Sequence, residues 1–169
     1  NGWAPIMGNP GYQGLTQWSK GEYSGATNTQ DDITAIDSFI PRRADETGAG
    51  TADAKAVTAP ASFDGVLADR TDVDSYKVTL TSGKWLFSAA PTPNYVLDTN
   101  LSLSVYNASG ARLAASNPPG LATPTISLTI TAGTYYVRVD GVGEGDPLTT
   151  GYSDYGSIGY YRMTIKTTI

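Results

Sequence analysis

The chain contains neither cysteine nor histidine, and these two absences exclude several kinds of chemistry. Without cysteine there is no disulfide and no thiol nucleophile, so stability outside the cell would need other restraints. Without histidine there is no imidazole ligand for zinc and no Ser–His or Cys–His catalytic pair. We therefore expect that these residues by themselves form no enzyme.

Charge is also scarce, since only 16% of the residues are charged, against about 25% in an average soluble domain. The net charge of -5 argues against nucleic acid and anionic membrane surfaces, because both are bound by clusters of Lys and Arg. No run of 18 apolar residues is present, so we expect no membrane span. Asp far outnumbers Glu, which indicates either many turns or loops that bind a hard cation.

Residues 1–30 are rich in Gly, Asn and Trp, and they have too few apolar side chains to fold alone. A short amphipathic helix is predicted over about 30–40, because Asp31 and Asp32 suit a first turn and Pro41 ends the pattern. Its apolar face would consist of Ile33, Ile36, Phe39 and Ile40.

Residues 41–64 are predicted to be a linker, and residues 65–169 an all-β, antiparallel sandwich. The sandwich is predicted because short segments of alternating apolar and polar residues are separated by turns. No helical pattern interrupts them, so a parallel sheet is not expected. We place seven strands, with an eighth allowed, near 75–81, 85–90, 101–106, 112–116, 125–130, 134–140 and 158–167.

The connection between the last two strands is longer than a usual hairpin, so it is ordered by something or has a role of its own. One interpretation is a cation site formed by Asp140, Asp146 and Asp154 with neighbouring carbonyls. The alternative is a loop in which Asp fixes turns and tyrosines stack. A phosphate loop is excluded, because the glycine-rich part precedes no helix and contains Glu144.

A second group of acids precedes the first strand, where Asp69, Asp72 and Asp74 lie within six residues. Such carboxylates repel one another unless a cation, an arginine or backbone N–H groups compensate them. Calcium, which takes six to eight oxygen ligands, suits this stretch. The alternative is that the acids cap turns.

Aromatic side chains are the remaining candidates for ligand contact, since exposed rings on a sandwich bind sugars or peptides. Tyr152 and Tyr155 are preferred because they lie in the long loop, and Trp85 is added from a strand. The alternative is that these rings are half-buried residues of the sheets.

Three stretches resemble the bacterial pre-peptidase C-terminal (PPC) family, namely Asp72–Tyr76, Leu101–Gly110 and Ala132–Val139. The resemblance covers about two thirds of the chain. It implies a jelly-roll-like sandwich that secreted proteases carry as a non-catalytic accessory domain. From collagen-binding clostridial relatives it further implies calcium held between an acidic linker, here Asp45 and Glu46, and an Asp pair, here Asp69 and Asp72.

Residues 3–8, with the sequence Trp-Ala-Pro-Ile-Met-Gly, resemble the Met-turn of metzincin-type zinc metallopeptidases. By that resemblance residues 1–40 would be the tail of a catalytic domain, and the start at Asn1 would mark a processed or excised piece. The H-E-x-x-H motif of those enzymes is missing. Separated from a catalytic body, the segment would be disordered, folded against the sandwich, or used between molecules.

Together these observations predict a secreted or cell-surface accessory domain that calcium stabilises and that follows a protease domain in the parent chain. Its expected partner is an extracellular protein or polysaccharide, with no nucleic acid and no membrane span. The alternative is an assembly module that self-associates through residues 1–40 or through exposed sheet edges.

Overall fold

In the computed structural model, residues 2–9, 11, 13–92 and 98–168 are described. Nine strands among them form two stacked sheets, preceded by two very short strands and one helix. Their bounds are β1 Trp3–Pro5, β2 Leu15–Gln17, α1 Asp32–Asp37, β3 Lys55–Val57, β4 Ala61–Leu67, β5 Val73–Leu80, β6 Gly83–Pro91, β7 Leu101–Asn107, β8 Arg112–Ser116, β9 Thr125–Ile130, β10 Gly133–Gly141 and β11 Gly159–Thr167.

One sheet has the strand order β3-β5-β10-β7-β8 and the other has the order β4-β11-β6-β9. Every neighbouring pair in the two sheets is antiparallel except β3 and β5, which run parallel. The predicted antiparallel β-sandwich is therefore confirmed. Among the described residues, no helix has the length and apolarity needed to cross a membrane.

The core lies between the sheets and follows the two-residue period of the strands. In β10, Tyr135, Val137 and Val139 point inward and are buried, whereas the alternate residues Tyr136 and Arg138 are only partly covered. Each large apolar side chain buried in this way contributes about 1.5–3 kcal/mol. The largest fully buried side chains are Tyr76, Tyr161, Phe87, Leu67, Leu101, Leu103, Met163 and Ile165, with Val78, Val105, Val137 and Val139.

The predicted linker 41–64 is wrong in its second half, which contains β3 and most of β4. Val57 packs against the core, and β4 pairs with β11 along its length. Both strands lie at a sheet edge, where backbone hydrogen bonds hold a segment that has few large apolar side chains. For that reason an Ala- and Thr-rich sequence resembled a linker. Residues 41–54 contain neither helix nor strand.

The helix α1 is shorter than predicted, because it ends at Asp37. Asp31 caps its start by accepting a hydrogen bond from the Thr34 amide at 2.8 Å. Ile33 is buried, but Phe39 and Ile40 lie beyond the helix end and are 87% and 64% exposed. The expected apolar face is therefore incomplete.

The N-terminal segment lies against the sandwich rather than apart from it. Trp3 is buried and its Nε1 donates to the Gly151 carbonyl at 2.9 Å. Gln17 Nε2 donates to the Asp98 carbonyl at 2.8 Å. The segment thus covers the long loop between β10 and β11.

Substituting Gly65 by Ala should destabilise the protein, because the new Cβ would stand 2.4 Å from the Tyr161 hydroxyl and 2.6 Å from that of Tyr76. Overpacking of this kind costs about 1–3 kcal/mol. Denaturant unfolding measures the loss. Gly133→Ala is the matched control, since its Cβ would meet nothing closer than 3.9 Å. Equal stability of the two variants would contradict the prediction.

Candidate functional site

Three carboxylates from two parts of the chain meet at the start of β5. One oxygen from each of Asp45, Asp72 and Asp74 lies within 4.8 Å of the others. Asp45 belongs to the loop after α1, Asp72 to the turn before β5, and Asp74 is the second residue of β5. Like charges at this separation repel one another, so the group is unfavourable unless something compensates it.

Asp74 is the central member of this acid cluster, and it is fully buried. Its Oδ2 accepts hydrogen bonds from the hydroxyls of Tyr161 and Tyr76, whereas its Oδ1 has no partner among the described residues. Burial, followed by the charges of Asp72, Glu46 and Asp45, raises the pKa of Asp74 to about 7. A buried carboxylate oxygen without a partner is costly, and a bound cation would relieve that cost.

Asp72 and Glu46 extend the cluster on the side of the turn. Asp72 Oδ2 accepts from the Ala68 amide at 2.6 Å, and burial followed by the charges of neighbouring acids raises the Asp72 pKa. Glu46 Oε1 accepts from the Val66 amide at 3.0 Å. Its buried Oε2 makes no hydrogen bond within the described chain, and the nearby Arg43 Nε is 4.0 Å away.

This donor set fits calcium. It consists of the carboxylate oxygens of three acids, among which the buried Asp74 Oδ1 has no partner in the described part of the chain, and hard cations of this size are bound by six to eight oxygen ligands. No nitrogen or sulfur ligand of the kind that zinc prefers is present, because the chain has no His and no Cys.

Asp69 does not join the cluster, although the family resemblance paired it with Asp72. Its Oδ1 accepts from the amide and the hydroxyl of Thr71, both at 2.7 Å, and its Oδ2 lies 3.3 Å from Arg42. The turn that brings Asp72 to the cluster directs Asp69 away from it. Asp74, which points into the sandwich with Tyr76, takes its place.

The second predicted cation site is not assembled. Asp140, Asp146 and Asp154 form no group of metal-ligand spacing within the described residues. Asp154 is paired with Arg70, and the exposed Asp146 caps a turn through the Leu148 amide at 2.9 Å. These two carboxylates are thus satisfied by protein groups, which corrects the expectation of an oxygen cage here.

The three predicted ligand-binding rings are all buried, which corrects the expectation that they face a partner. Trp85, Tyr152 and Tyr155 are 4%, 7% and 6% exposed. Each polar tip has an internal bond: Trp85 Nε1 to the Thr81 carbonyl, Tyr152 to Asn100, and Tyr155 to Asp31. The loop tyrosines are covered by the N-terminal segment, whose Trp3 ring lies edge-on to Tyr152.

A different aromatic surface lies on the outer face of the five-stranded sheet. The strand register aligns a row of four side chains across β5, β10, β7 and β8. Both tyrosines of this row are only partly buried, and both terminal cations are exposed. We call this the tyrosine row; its members are Lys77, Tyr136, Tyr106 and Arg112.

Arg138 lies in the adjacent row, with its guanidinium 4.5 Å from the centre of the Tyr106 ring. Its buried Nε has no hydrogen-bond partner among the described residues. None of the ligand-binding residues predicted from the sequence lies on this surface. The available signal was the alternation in β10, which sets Tyr136 and Arg138 opposite the apolar face.

Comparison with solved structures supports the fold. The pre-peptidase C-terminal domain of a collagenase from Bacillus anthracis is similar with a TM-score of 0.50 and 16% identity, over 73% of this chain and 98% of that one. A surface-associated copper-binding protein, CorA, from Methylomicrobium album has a TM-score of 0.42 and 9% identity, over 68% and 98%. The PliG lysozyme inhibitor of Aeromonas hydrophila has a TM-score of 0.38 and 14% identity, over 66% of this chain and 98% of that one.

No family model matches the chain. No curated protein matches it either. The likeness to the collagenase domain, at 16% identity, shows a PPC-like β-sandwich fold and nothing beyond the fold.

In calcium-free protein, Asp74 should make stability fall as pH rises. Its folded pKa of about 7 lies above the ordinary value of 3.8, so the folded state holds the proton more tightly. This stabilisation is complete below about pH 3.8 and is lost as pH approaches 7. It amounts to about 4 kcal/mol at 1.36 kcal/mol per unit.

The measurement is the unfolding free energy from pH 4 to 7 in chelator, for the wild type and for Asp74→Asn. The unfolding free energy of the wild type minus that of Asp74→Asn should fall by several kcal/mol between pH 4 and pH 7. Asp64→Asn is the control without a change in this range, because the hydrogen bond from Arg162 lowers the Asp64 pKa and its contribution is lost only below pH 3.8. A pH-independent difference between wild type and Asp74→Asn would refute the assignment.

Proposed function

We propose that the chain is a non-catalytic accessory domain, stabilised by calcium, that holds a secreted protein on an extracellular protein or polysaccharide. The observation that supports calcium is the fully buried Asp74 carboxylate. Its Oδ1 has no partner in the part of the chain that the structure describes, although Asp45 and Asp72 lie beside it. The PPC-like fold supports the role of an accessory domain.

In this proposal the calcium ligands are Asp45, Asp72, Asp74 and Glu46, with backbone carbonyls completing the shell. The positive ion would offset their mutual repulsion and join the loop 41–54 to the turn before β5. A chain without disulfides would thereby gain a restraint between distant segments.

The parent protein is proposed to be a secreted metallopeptidase. The support is the similarity of residues 3–8 to a Met-turn, together with the position of this segment directly before the sandwich. The zinc-binding histidines would then belong to an upstream domain, and this chain would contribute binding but no hydrolysis. An extracellular or cell-surface location follows from the same proposal.

Ligand contact is proposed at the tyrosine row. Partly exposed tyrosines flanked by cations offer flat rings and hydrogen-bond donors on one sheet face, which suits peptide or sugar surfaces. The three rings first proposed for this purpose are buried.

The alternative, an assembly module, is less well supported. The segment 2–40 packs on its own sandwich through Trp3, Gln17 and Ile33, so a second copy is not required to cover it. Static light scattering at high concentration distinguishes the two. A concentration-dependent oligomer would favour assembly.

Calcium should raise the melting temperature of the wild type and chelator should lower it, because a ligand of the folded state stabilises by mass action, by about 2.7 kcal/mol at 100 times its Kd. Asp72→Asn and Asp74→Asn should abolish the calcium response. Differential scanning calorimetry with EDTA and with excess calcium measures it.

Asp69→Asn is the matched control within the same turn and should keep the response, since Asp69 faces Thr71 and Arg42. If Asp140→Asn loses the calcium-dependent rise in melting temperature and Asp72→Asn keeps it, calcium binds in the long loop and not at the acid cluster. Identical melts in EDTA and in calcium would exclude a stabilising site.

The double substitution Tyr106→Ala and Tyr136→Ala should weaken retention on insoluble collagen, chitin or cell walls at least about tenfold, as loss of interface anchors does. Pull-down in calcium measures retention, and an unchanged calcium-dependent melt shows that the variant is folded. Lys84→Ala with Lys166→Ala, on the other sheet, is the control. Lack of retention of the wild type on all three matrices would refute the proposed binding.

A further inference from the structure

The turn before β5 connects the acid cluster with the N-terminal segment. Residues 69–72 are held together by hydrogen bonds from the Asp72 amide to the Asp69 carbonyl at 3.2 Å and from the Thr71 amide to the Asp69 side chain. The Ala68 amide donates to Asp72 in turn. These hydrogen bonds connect Asp72 and Asp69 with the residues on both sides of Arg70.

Arg70, the second residue of this turn, points away from the cluster and into the interface with the N-terminal segment. Its NH1 lies 3.1 Å from Glu22 of that segment, and its NH2 pairs with Asp154 of the long loop. Its guanidinium also lies 5.9 Å from the centre of the Tyr155 ring. Glu22 accepts a further hydrogen bond from the Ser153 hydroxyl at 2.5 Å.

Tyr155 is the anchor on which the segment folds. Its hydroxyl donates to Asp31 at 2.6 Å and accepts from the Ile33 amide at 3.0 Å, so it fixes the start of α1. Asp69 adds a second route to the same helix, because Arg42 bridges Asp69 and Asp37. The turn is thus connected to both ends of α1 through one intervening residue each, Tyr155 at the start and Arg42 at the end.

We propose that calcium binding at the acid cluster and docking of residues 2–40 are coupled through this turn, with Arg70 as the positioning residue that transmits the coupling. The inference rests on the proposed calcium site. Without a cation, the repulsion among Asp45, Asp72 and Asp74 favours displacement of Asp72, and the turn carries Arg70 with it. With the cation bound, Asp72 is fixed and Arg70 is held where Glu22 and Asp154 lie.

Coupling of this kind is reciprocal, and it commonly changes an equilibrium by about fivefold or more. It can be read as local opening of the segment in amide hydrogen exchange. The reporters are the amides of Ser19, Asp32 and Ile33, which are hydrogen-bonded in the docked segment. The core reporters are the amides of Val137 and Val139, which are fully buried.

The experiment compares exchange in EDTA and in saturating calcium for the chain 1–169. In the wild type, calcium should slow exchange of the segment reporters about fivefold or more. In Arg70→Gln this effect should be clearly smaller for the segment, because only the contact of the turn through Arg42 remains. Calcium should still slow the core reporters, which shows that the ion binds and the sandwich is folded. Arg162→Gln is the matched control, because it breaks an exposed ion pair on the other sheet and should behave as wild type.

If calcium slows the core but not the segment in the wild type, the coupling is refuted and the calcium site remains. If Arg70→Gln retains the full segment effect, Arg70 does not transmit it and the inference fails. If isothermal titration detects no calcium binding, the proposed site and the coupling both fail.

Discussion

The constraint on which much of this structure depends is a carboxylate buried inside an apolar sandwich. Asp74 occupies an inward position of β5, in line with Tyr76, Val78 and Leu80. The hydroxyls of Tyr76 and Tyr161 meet it from two different sheets, and Gly65 leaves the space that their rings need. Since a buried charge is unfavourable unless it is compensated, these residues together define a place where something must supply protons or positive charge.

The same place is where distant parts of the chain converge. The loop 41–54 brings Asp45 and Glu46, the turn 69–72 brings Asp72, and the far side of that turn holds Arg70 against the N-terminal segment. A small set of polar contacts therefore connects the segment, the turn and the sandwich. This arrangement explains how a domain without disulfides keeps an irregular segment ordered.

The proposed metal site and the proposed binding face lie on the same sheet but at different positions. The acid cluster lies at the start of β5 and points inward, whereas the tyrosine row crosses the middle of the sheet and points outward. Alternation along a strand separates the two functions, because neighbouring residues face opposite sides. Stabilisation and ligand contact could thus change independently.

The sequence by itself determined the sandwich, because a two-residue period over successive short segments is a local property that each strand displays in its own residues. It also indicated that the acids before β5 are unusual, since three carboxylates within six residues repel one another unless they are compensated. It did not reveal that β3 and β4 begin inside the apparent linker, because edge strands are held by backbone hydrogen bonds that leave little trace in composition.

Only the tertiary structure decided which acids meet and which rings are exposed. Asp45 joins Asp72 and Asp74 because a loop folds back on β5, and Asp69 is excluded because its turn bonds to Thr71. Tyr152 and Tyr155 are buried because residues 2–40 pack over them, while Tyr106 and Tyr136 stay partly open. These outcomes depend on contacts between residues far apart in the chain, which local patterns do not encode.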